Sequence, residues 1–198
     1  MANAIISVFK EHVTARGYHL SDAAWKCICP QLKPVSASRG DVLLDSAQVT
    51  QHVYFVCHGI AASIQNTSDG GEQIARFFER GHLCSNLTSV WHQEVSSDTL
   101  VAMSAFAGVS IPFALFHDEF MSDAPLSLYW REMVFQTLVF DKDLICAKTI
   151  RDVETRYRFL VDRYDHVIDA VPDKYIARFL GITPQGLSRF KKNLSELT

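Results

Sequence analysis

Residues 173–192 read DKYIARFLGITPQGLSRFKK, and this stretch contains two short apolar stripes on either side of a glycine. The stripes have helical spacing, with Ile176, Ala177 and Leu180 in the first and Leu187 and Phe190 in the second. Gly181 permits a sharp turn between the two helices, because glycine adopts a positive φ at little steric cost. The pattern predicts a helix-turn-helix over residues 173–198.

The second helix of this pair has a start signal and a polar outer face. Thr183 suits the N-cap position, and Pro184 suits the first helical position, where the N–H that proline lacks would be unpaired anyway. Polar and basic side chains on the outer face can reach the base edges and phosphates of a DNA duplex. The candidate DNA contacts are Lys174, Thr183, Gln185, Ser188, Arg189, Lys191 and Lys192.

The distribution of charge along the chain also favours contact between this segment and DNA. Residues 173–198 contain five basic and two acidic side chains, a net charge of +3, whereas the whole chain has a formal net charge of −3. An acidic body with a basic end brings only that end to a phosphate backbone. The alternative interpretation of the segment is a helical hairpin that only packs against the rest of the chain.

The composition is that of an ordinary globular protein, with 198 residues, 48% of them hydrophobic and 21% charged. No apolar run approaches the roughly 18 residues of a membrane span. The start, MANAIISVFKEHV, carries charges where a signal peptide has an apolar centre, and five scattered cysteines argue against a disulfide framework. We therefore expect a cytoplasmic protein without membrane contact. The absence of a Gly-rich phosphate loop or nucleophile elbow argues against an enzyme.

Between its two ends the chain changes from helical to strand-like patterning and back. Residues 4–32 have helical apolar spacing, and strand-like segments follow at 42–44, 53–56, 60–64, 73–78, 99–103 and 105–111. Glycine-containing turns separate these segments, and Asp69-Gly70-Gly71 is the best hairpin tip. The sequence therefore predicts an α+β fold with an N-terminal β jelly roll.

Helical spacing returns at about Asp123 and continues to about residue 150, which predicts a long central helix. Its apolar seam consists of Leu126, Trp130, Met133, Thr137, Phe140 and Leu144. We expect the barrel on one side of this helix and the same helix of a second subunit on the other, with Met133 and Phe140 in the dimer contact. An intramolecular core helix is the alternative. A shorter helix is predicted at 153–170, and the predicted domains are residues 1–122, 123–150 and 151–198.

This order of elements resembles the Crp/Fnr family of bacterial transcription regulators. Residues 171–192 are similar to a variant of that family's helix-turn-helix, and the glycine turns at 39–41, 54–59 and 80–83 resemble those of its barrel. The resemblance implies a homodimer that binds double-stranded DNA, regulates transcription and contacts RNA polymerase. It also implies that Arg189 stands where the family's recognition helix sends an arginine to guanine.

The barrel departs from the nucleotide-binding members of that family. Those members hold cyclic AMP with a Gly-Glu pair and a later arginine, where this chain has Ser85, Asn86 and Ser96. Burying a phosphate without a cation costs on the order of several kcal/mol, so cyclic AMP in the usual pose is not expected. A neutral effector and a barrel without a ligand both stay open. The candidate effector-pocket residues are His82, Cys84, Ser85, Asn86, Ser96, Ser97, Thr99, Asp141 and Lys142.

No metal or other cofactor is predicted. Cys27 and Cys29 are one residue apart, which is unusual for an iron–sulfur cluster, and the other Cys–His groupings offer only two ligands each. Relatives carry a β-hairpin wing after the recognition helix, whereas this chain ends eight residues after Phe190, so we expect a wingless head. The alternative function is a ligand-binding or protein-interaction module with a vestigial DNA-binding head.

Overall fold

The computed structural model describes residues 2–68, 70–118, 124–149, 152–164 and 166–196. The strands are β1 Lys33–Ala37, β2 Val42–Leu44, β3 His52–His58, β4 Ala61–Asn66, β5 Glu72–Phe78, β6 Leu83–Cys84, β7 Asp98–Ala102 and β8 Phe106–Pro112. The helices are α1 Ala2–Ala15, α2 Asp22–Ile28, α3 Leu87–His92, α4 Phe113–Asp118, α5 Ala124–Thr149, α6 Val153–Arg163, α7 Val167–Ala170, α8 Asp173–Leu180 and α9 Pro184–Glu196. The predicted α+β fold is confirmed.

Two antiparallel sheets form the barrel, in the strand orders β1-β8-β3-β6 and β2-β7-β4-β5. Their inner faces share a core of Val56, Ala61, Phe78, Cys84, Leu100, Ala102 and Phe106. All six predicted strands are present, with ends that differ by two residues at most. The sequence interpretation missed the two-residue strand β6 and the strand β1. Strand β1 contains Pro34 and lies at a sheet edge, where proline is tolerated because no ladder donor is needed.

One extra residue in β5 decides which side chains enter the barrel. Ser63 of β4 pairs with Arg76, but the next residue, Ile64, pairs with Ile74, so Ala75 is a bulge. Side chains alternate across a strand, and the bulge resets this alternation. As a result Ile74 and Phe77 lie together on the outer face, while Arg76 lies beside Phe78 of the inner core.

Helices cover the outer face of each sheet. Against the first sheet pack α1, α2 and the N-terminal half of α5, with a buried core that includes Phe9, Val13, Ile28, Phe55, Val109, Leu126 and Tyr129. Against the second sheet pack the C-terminal half of α5 and the helices α6–α9, with a core that includes Ile74, Phe77, Leu144, Tyr164, Phe179 and Leu187. The helix-turn-helix is therefore docked on the barrel through a continuous apolar core.

The central helix α5 has the predicted length, but its seam faces the protein's own barrel. Met133 is 4% exposed in the core of the first sheet, and the Phe140 ring packs against Tyr164 with 5.5 Å between centroids. The expectation that these two residues form a dimer contact is wrong. Residues two positions apart on an α-helix point in nearly opposite directions, about 200° apart. The face of α5 that points away from the barrel, here called the free face, therefore carries a different set of apolar residues. These are Leu128, Phe135, Leu138, Val139 and Ile145.

The helix predicted at 153–170 is divided in two. Tyr164 adopts an extended backbone with φ −130° and ψ 114°, which ends α6 and separates it from α7. This break carries the Tyr164 ring into the core, 5.8 Å from Phe77 and 6.2 Å from Phe179 between ring centroids. Burial of a large aromatic ring thus outweighs continuation of the helix.

Some predictions fall on parts of the chain that the structure does not describe. The predicted domain boundaries at 122/123 and 150/151 lie outside the described residues, as does Asp69 of the hairpin tip. The β4–β5 hairpin is present, and Thr67 N donates to Gly71 O across it at 2.9 Å. Within the described ranges, no helix combines the length and apolar character needed to cross a bilayer.

A partly exposed polar cluster connects α1 to the central helix. The His12 ring packs on Phe55, with 4.7 Å between centroids, and its Nε2 accepts a hydrogen bond from Arg16 Nε at 3.0 Å. Arg16 also donates to Glu132 Oε1 at 2.7 Å, and Tyr18 Oη donates to the same carboxylate. Burial, followed by the charge of Arg16, lowers the pKa of His12 to about 4. The imidazole is therefore neutral in the folded protein.

We expect this histidine to make the fold sensitive to acid. Between the folded pKa of about 4 and the ordinary value of 6.5, the unfolded chain binds a proton that the folded chain does not, so stability falls as the pH falls through this window. From pH 7 to pH 5 the free energy of unfolding should drop by about 1–2 kcal/mol through His12 alone. Chemical denaturation of wild type and His12→Gln at both pH values measures this loss.

The matched control for this measurement is His92→Gln, which removes an exposed histidine at the end of α3. This variant should keep the wild-type pH dependence, whereas His12→Gln should have a flatter one. Equal pH dependence of the His12 variant and wild type would show that His12 is not held neutral.

Candidate functional sites

The helix-turn-helix is built as its sequence predicts. The first helix, α8, ends at Gly181, which has φ 67° and ψ 35°, and Ile182 N then donates to Ala177 O at 3.0 Å. Pro184 begins α9, and Thr183 caps it by accepting a hydrogen bond from Gly186 N at 3.0 Å. A Cβ atom at Gly186 would lie 3.2 Å from Thr183 Oγ1, so glycine leaves room for the capping hydroxyl.

One face of α9 is polar and exposed. Gln185, Ser188, Arg189 and Lys192 follow each other at helical spacing on this face, and all four side chains are exposed. The opposite face is anchored by Leu187, which is fully buried, and by Phe190, whose ring lies 5.3 Å from that of Tyr157. Arg189 makes no ion pair with any described residue, so its guanidinium is available to a partner.

The remaining basic residues of the head differ in their surroundings. Lys174 is exposed, with its ammonium 4.6 Å from the centroid of Tyr175. Lys191 pairs with Asp173 at 2.6 Å, which neutralises part of its charge. Arg178 turns toward the barrel and pairs with Glu72 of β5, so it belongs to the docking contact rather than to the outer face.

A cavity of about 540 Å³ lies between the barrel interior and α5. Of the candidate effector residues, it brings together Ser85, Asn86, Ser97 and Asp141. Asn86 also caps α3, because its Oδ1 accepts from Ser89 N at 2.8 Å, and its Nδ2 donates to Ser97 Oγ at 3.4 Å. The polar atoms of Asn86 are therefore already engaged in the local fold.

The other five candidates do not line this cavity, and the local structure explains where each of them lies instead. Cys84 is fully buried in the inner core, where burial raises the pKa of its thiol. Ser96 is buried and donates to Asp98 O at 2.7 Å, and this bond holds Ser96 in the turn before β7. Thr99 comes directly after the cavity residue Asp98, so its side chain lies on the other side of the strand. Lys142 is exposed on α5. His82 lines a second, smaller cavity, and its Nδ1 accepts from Glu79 N at 3.1 Å.

Two charged residues of the cavity were not identified from the sequence. Arg76 of β5 is 9% exposed and pairs with Asp141 Oδ1 at 2.6 Å. Asp98 of β7 accepts hydrogen bonds from Ser63 at 2.5 Å, from Gln65 at 3.0 Å and from Ser97 at 2.5 Å. The cation of the cavity therefore comes from β5 and not from Lys142, the candidate cation on α5. A charged residue within the apolar strand IARFF was the signal for Arg76, because an arginine is rarely buried without a specific partner.

Several solved structures share this architecture. FixK2 from Bradyrhizobium japonicum has a TM-score of 0.71 at 16% identity, with 84% of this chain and 85% of that chain covered. The c-di-GMP responsive global regulator CLP from Xanthomonas campestris has a TM-score of 0.68 at 16% identity, covering 89% and 92%. A transcriptional regulator of the crp/fnr family from Eubacterium rectale has a TM-score of 0.66 at 17% identity, covering 89% and 84%.

No protein-family model and no curated protein sequence matches the chain. The similarity is thus visible in the three-dimensional fold rather than in sequence identity. The chain has the Crp/Fnr fold, with its barrel, its long central helix and its C-terminal helix-turn-helix, and the resemblance inferred from the sequence is confirmed at this level.

We expect the Thr183 cap to stabilise the head. Thr183→Val removes the acceptor for Gly186 N at nearly constant volume, and the free energy of unfolding should fall by about 1 kcal/mol. Thr183→Ser keeps the hydroxyl and should have close to wild-type stability. Chemical denaturation of the three proteins tests the cap, and equal stability of the Val variant and wild type would contradict it.

Proposed function

We propose that this protein is a dimeric, sequence-specific DNA-binding transcriptional regulator of the Crp/Fnr type, with the barrel as its sensor. The observation that carries the proposal is the exposed face of α9, which is formed by Gln185, Ser188, Arg189 and Lys192. The helix that presents this face is capped by Thr183 and anchored by its buried side. In a helix-turn-helix the second helix enters the major groove with such a face toward the bases. The shared fold of known regulators supports the same conclusion.

The polar and basic side chains of the helix-turn-helix have different roles. Arg189 can form a bidentate contact to a guanine edge, and Gln185 can bind an adjacent base in the same way. Lys192 and Lys174 hold phosphates, which adds affinity without sequence information. The net charge of +3 on residues 173–198 draws this end of an otherwise acidic molecule to DNA.

A second copy of the chain covers the free face of α5. Phe135, Leu138 and Ile145 are 66%, 60% and 61% exposed, which is a large apolar area to leave in water on a single helix. Their spacing of three and seven residues is typical of helices that pack in parallel along a seam. Leu138 and Ile145 also line the barrel cavity, so the partner helix would lie at the mouth of the sensor site.

DNA binding is tested by fluorescence anisotropy with random duplex at several salt concentrations. Affinity of the wild type should fall steeply with salt, because phosphate contacts release counterions. Lys192→Ala should weaken binding to every duplex and reduce the slope of log affinity against log salt by about one. Arg189→Ala should instead lose about 1–3 kcal/mol of discrimination between an operator selected from random DNA and other sequences.

The matched control is Lys26→Ala, which removes an exposed lysine from α2 at the opposite end of the chain. It should bind like wild type. Binding that is absent or independent of salt would favour the alternative, a ligand-binding or protein-interaction module with a vestigial head. Selection of the same motif by Arg189→Ala and wild type would show that Arg189 does not read the sequence.

The dimer is tested on the free face rather than on the buried seam. Leu128→Glu combined with Phe135→Glu places two charges in the proposed contact, and burial of these charges should weaken dimerisation at least about 100-fold. Sedimentation velocity at micromolar concentration should then show a monomer. Neither residue lines the barrel cavity, so the sensor site stays intact.

As a control, Val42→Glu changes a residue of β2 that is 56% exposed, away from α5. This variant should remain dimeric. A wild type that is monomeric at micromolar concentration, or a double variant that still dimerises, would exclude α5 as the dimer contact.

A further inference from the structure

The guanidinium of Arg76 is a buried cation with an incomplete set of hydrogen bonds. It lies between two aromatic rings, 4.9 Å from the centroid of Phe78 and 4.4 Å from that of Phe140. Among the described residues its Nη1 donates to Asp141, whereas its Nε is buried and has no hydrogen-bond partner. An arginine can donate five hydrogen bonds in a planar fork that matches two oxygens of a carboxylate or phosphate.

The two partners of this ion pair are unequally held. The side chain of Arg76 is 11% exposed and confined by the rings, whereas that of Asp141 is 40% exposed on the surface of α5. Partial burial against the cavity raises the pKa of Asp141 despite the nearby guanidinium, so the charged form of this carboxyl is disfavoured. An exchange of Asp141 for another anion leaves Arg76 in position and returns the aspartate to water.

The cavity beside Arg76 can hold such an anion and its body. Its volume of about 540 Å³ lies in the range of small-molecule sites, and much of its wall is apolar, including Val53, Phe78, Leu83, Trp130, Val134 and Leu144. Asp98 lines the cavity two strands from Arg76, and its carboxylate is held by Ser63, Gln65 and Ser97. Its negative charge repels an anion from that end and favours the end at Arg76.

We propose that the barrel cavity binds a small organic anion, a carboxylate or phosphate on an apolar body, and that this anion replaces Asp141 on the guanidinium of Arg76. This inference names the class of ligand that the sensor binds, and it therefore rests on the proposed function. Asp141 follows Phe140, whose ring packs on Phe159 and Tyr164 at the start of the head. The exchange therefore acts at the turn of α5 that contacts the DNA-binding unit.

The test uses three probes of the same shape: phenylacetate, phenyl phosphate and the neutral phenylacetamide. Each is titrated by calorimetry into the full chain without DNA. At least one anion should bind about ten-fold or more tightly than the amide. Binding of phenylacetate alone assigns a carboxylate ligand, binding of phenyl phosphate alone assigns a phosphate ligand, and either result supports the site. Two anions that bind no better than the amide would overturn it.

Variants separate the exchange from general binding to an apolar cavity. Asp141→Asn removes the internal competitor and should tighten the anion about ten-fold or more without changing the amide. Asp143→Asn is the matched control, because Asp143 lies on the same helix, pairs with Arg163 and does not line the cavity. Arg76→Lys keeps the charge but loses the fork and should weaken the anion by a similar factor. Unchanged anion affinity in Asp141→Asn would exclude the exchange.

Failure of this proposal and failure of the proposed function are distinguishable. If the protein binds the anions but shows no salt-dependent DNA affinity, the anion site is supported and the proposed regulator function is contradicted. If the protein binds DNA but prefers neither anion over the amide, the regulator function is supported and the anion site is contradicted.

Discussion

Both faces of the second sheet must be buried, and the bulge at Ala75 is what makes this possible. Without the extra residue, Ile74 and Phe77 would lie on opposite faces of β5, because side chains alternate along a strand. With it, both join the core that holds the head, while Arg76 and Phe78 turn into the barrel. A single inserted residue thus determines the docking surface and the charge of the cavity together.

The docked head is held by polar contacts as well as by this core. Lys148 of α5 donates to the carbonyl oxygens of Ile74 and Ala75 at 2.8 and 2.7 Å, and its ammonium lies 4.8 Å from the Phe179 ring centroid. Burial lowers the pKa of Lys148 to about 8. The Lys148 ammonium therefore connects three elements: the carbonyls beside the bulge, the central helix and the first helix of the helix-turn-helix. Movement of any one of these elements disturbs its contacts with the other two.

Local signals in the sequence were sufficient for the head. A glycine at the turn, a threonine before a proline and apolar residues at helical spacing act within a few residues of each other, and Gly181, Thr183 and Leu187 occupy the predicted roles. The same reasoning placed six strands, since alternation is also local. It misassigned the seam of α5, because periodicity identifies an apolar face without saying what covers it. Met133 is covered by the protein's own barrel and Phe135 is exposed, although both are apolar.

The cavity was harder to predict because its residues come from distant parts of the chain. Ser63, Arg76, Asp98 and Asp141 belong to three strands and a helix, and their proximity depends on the β4–β5 bulge and on the pairing of β4 with β7. The family resemblance indicated Ser96 as the position of the usual arginine, and the candidate cation of the pocket was Lys142. The structure supplies a cation from β5 instead, and places a carboxylate, Asp98, two residues after Ser96.

The segment after α3 places the negative charge of Asp98 at the cavity, whereas the positive charge of the cavity belongs to Arg76 of β5. An anionic group is repelled by Asp98 and attracted by Arg76, which lie on strands separated by β4, roughly 10 Å apart by the spacing of neighbouring strands. The cation of this barrel therefore lies on β5, and a carboxylate lies two residues after Ser96. Because the cation faces α5 directly, charge in the cavity is balanced against Asp141, which lies on α5 beside Leu138 and Ile145 of the proposed dimer contact.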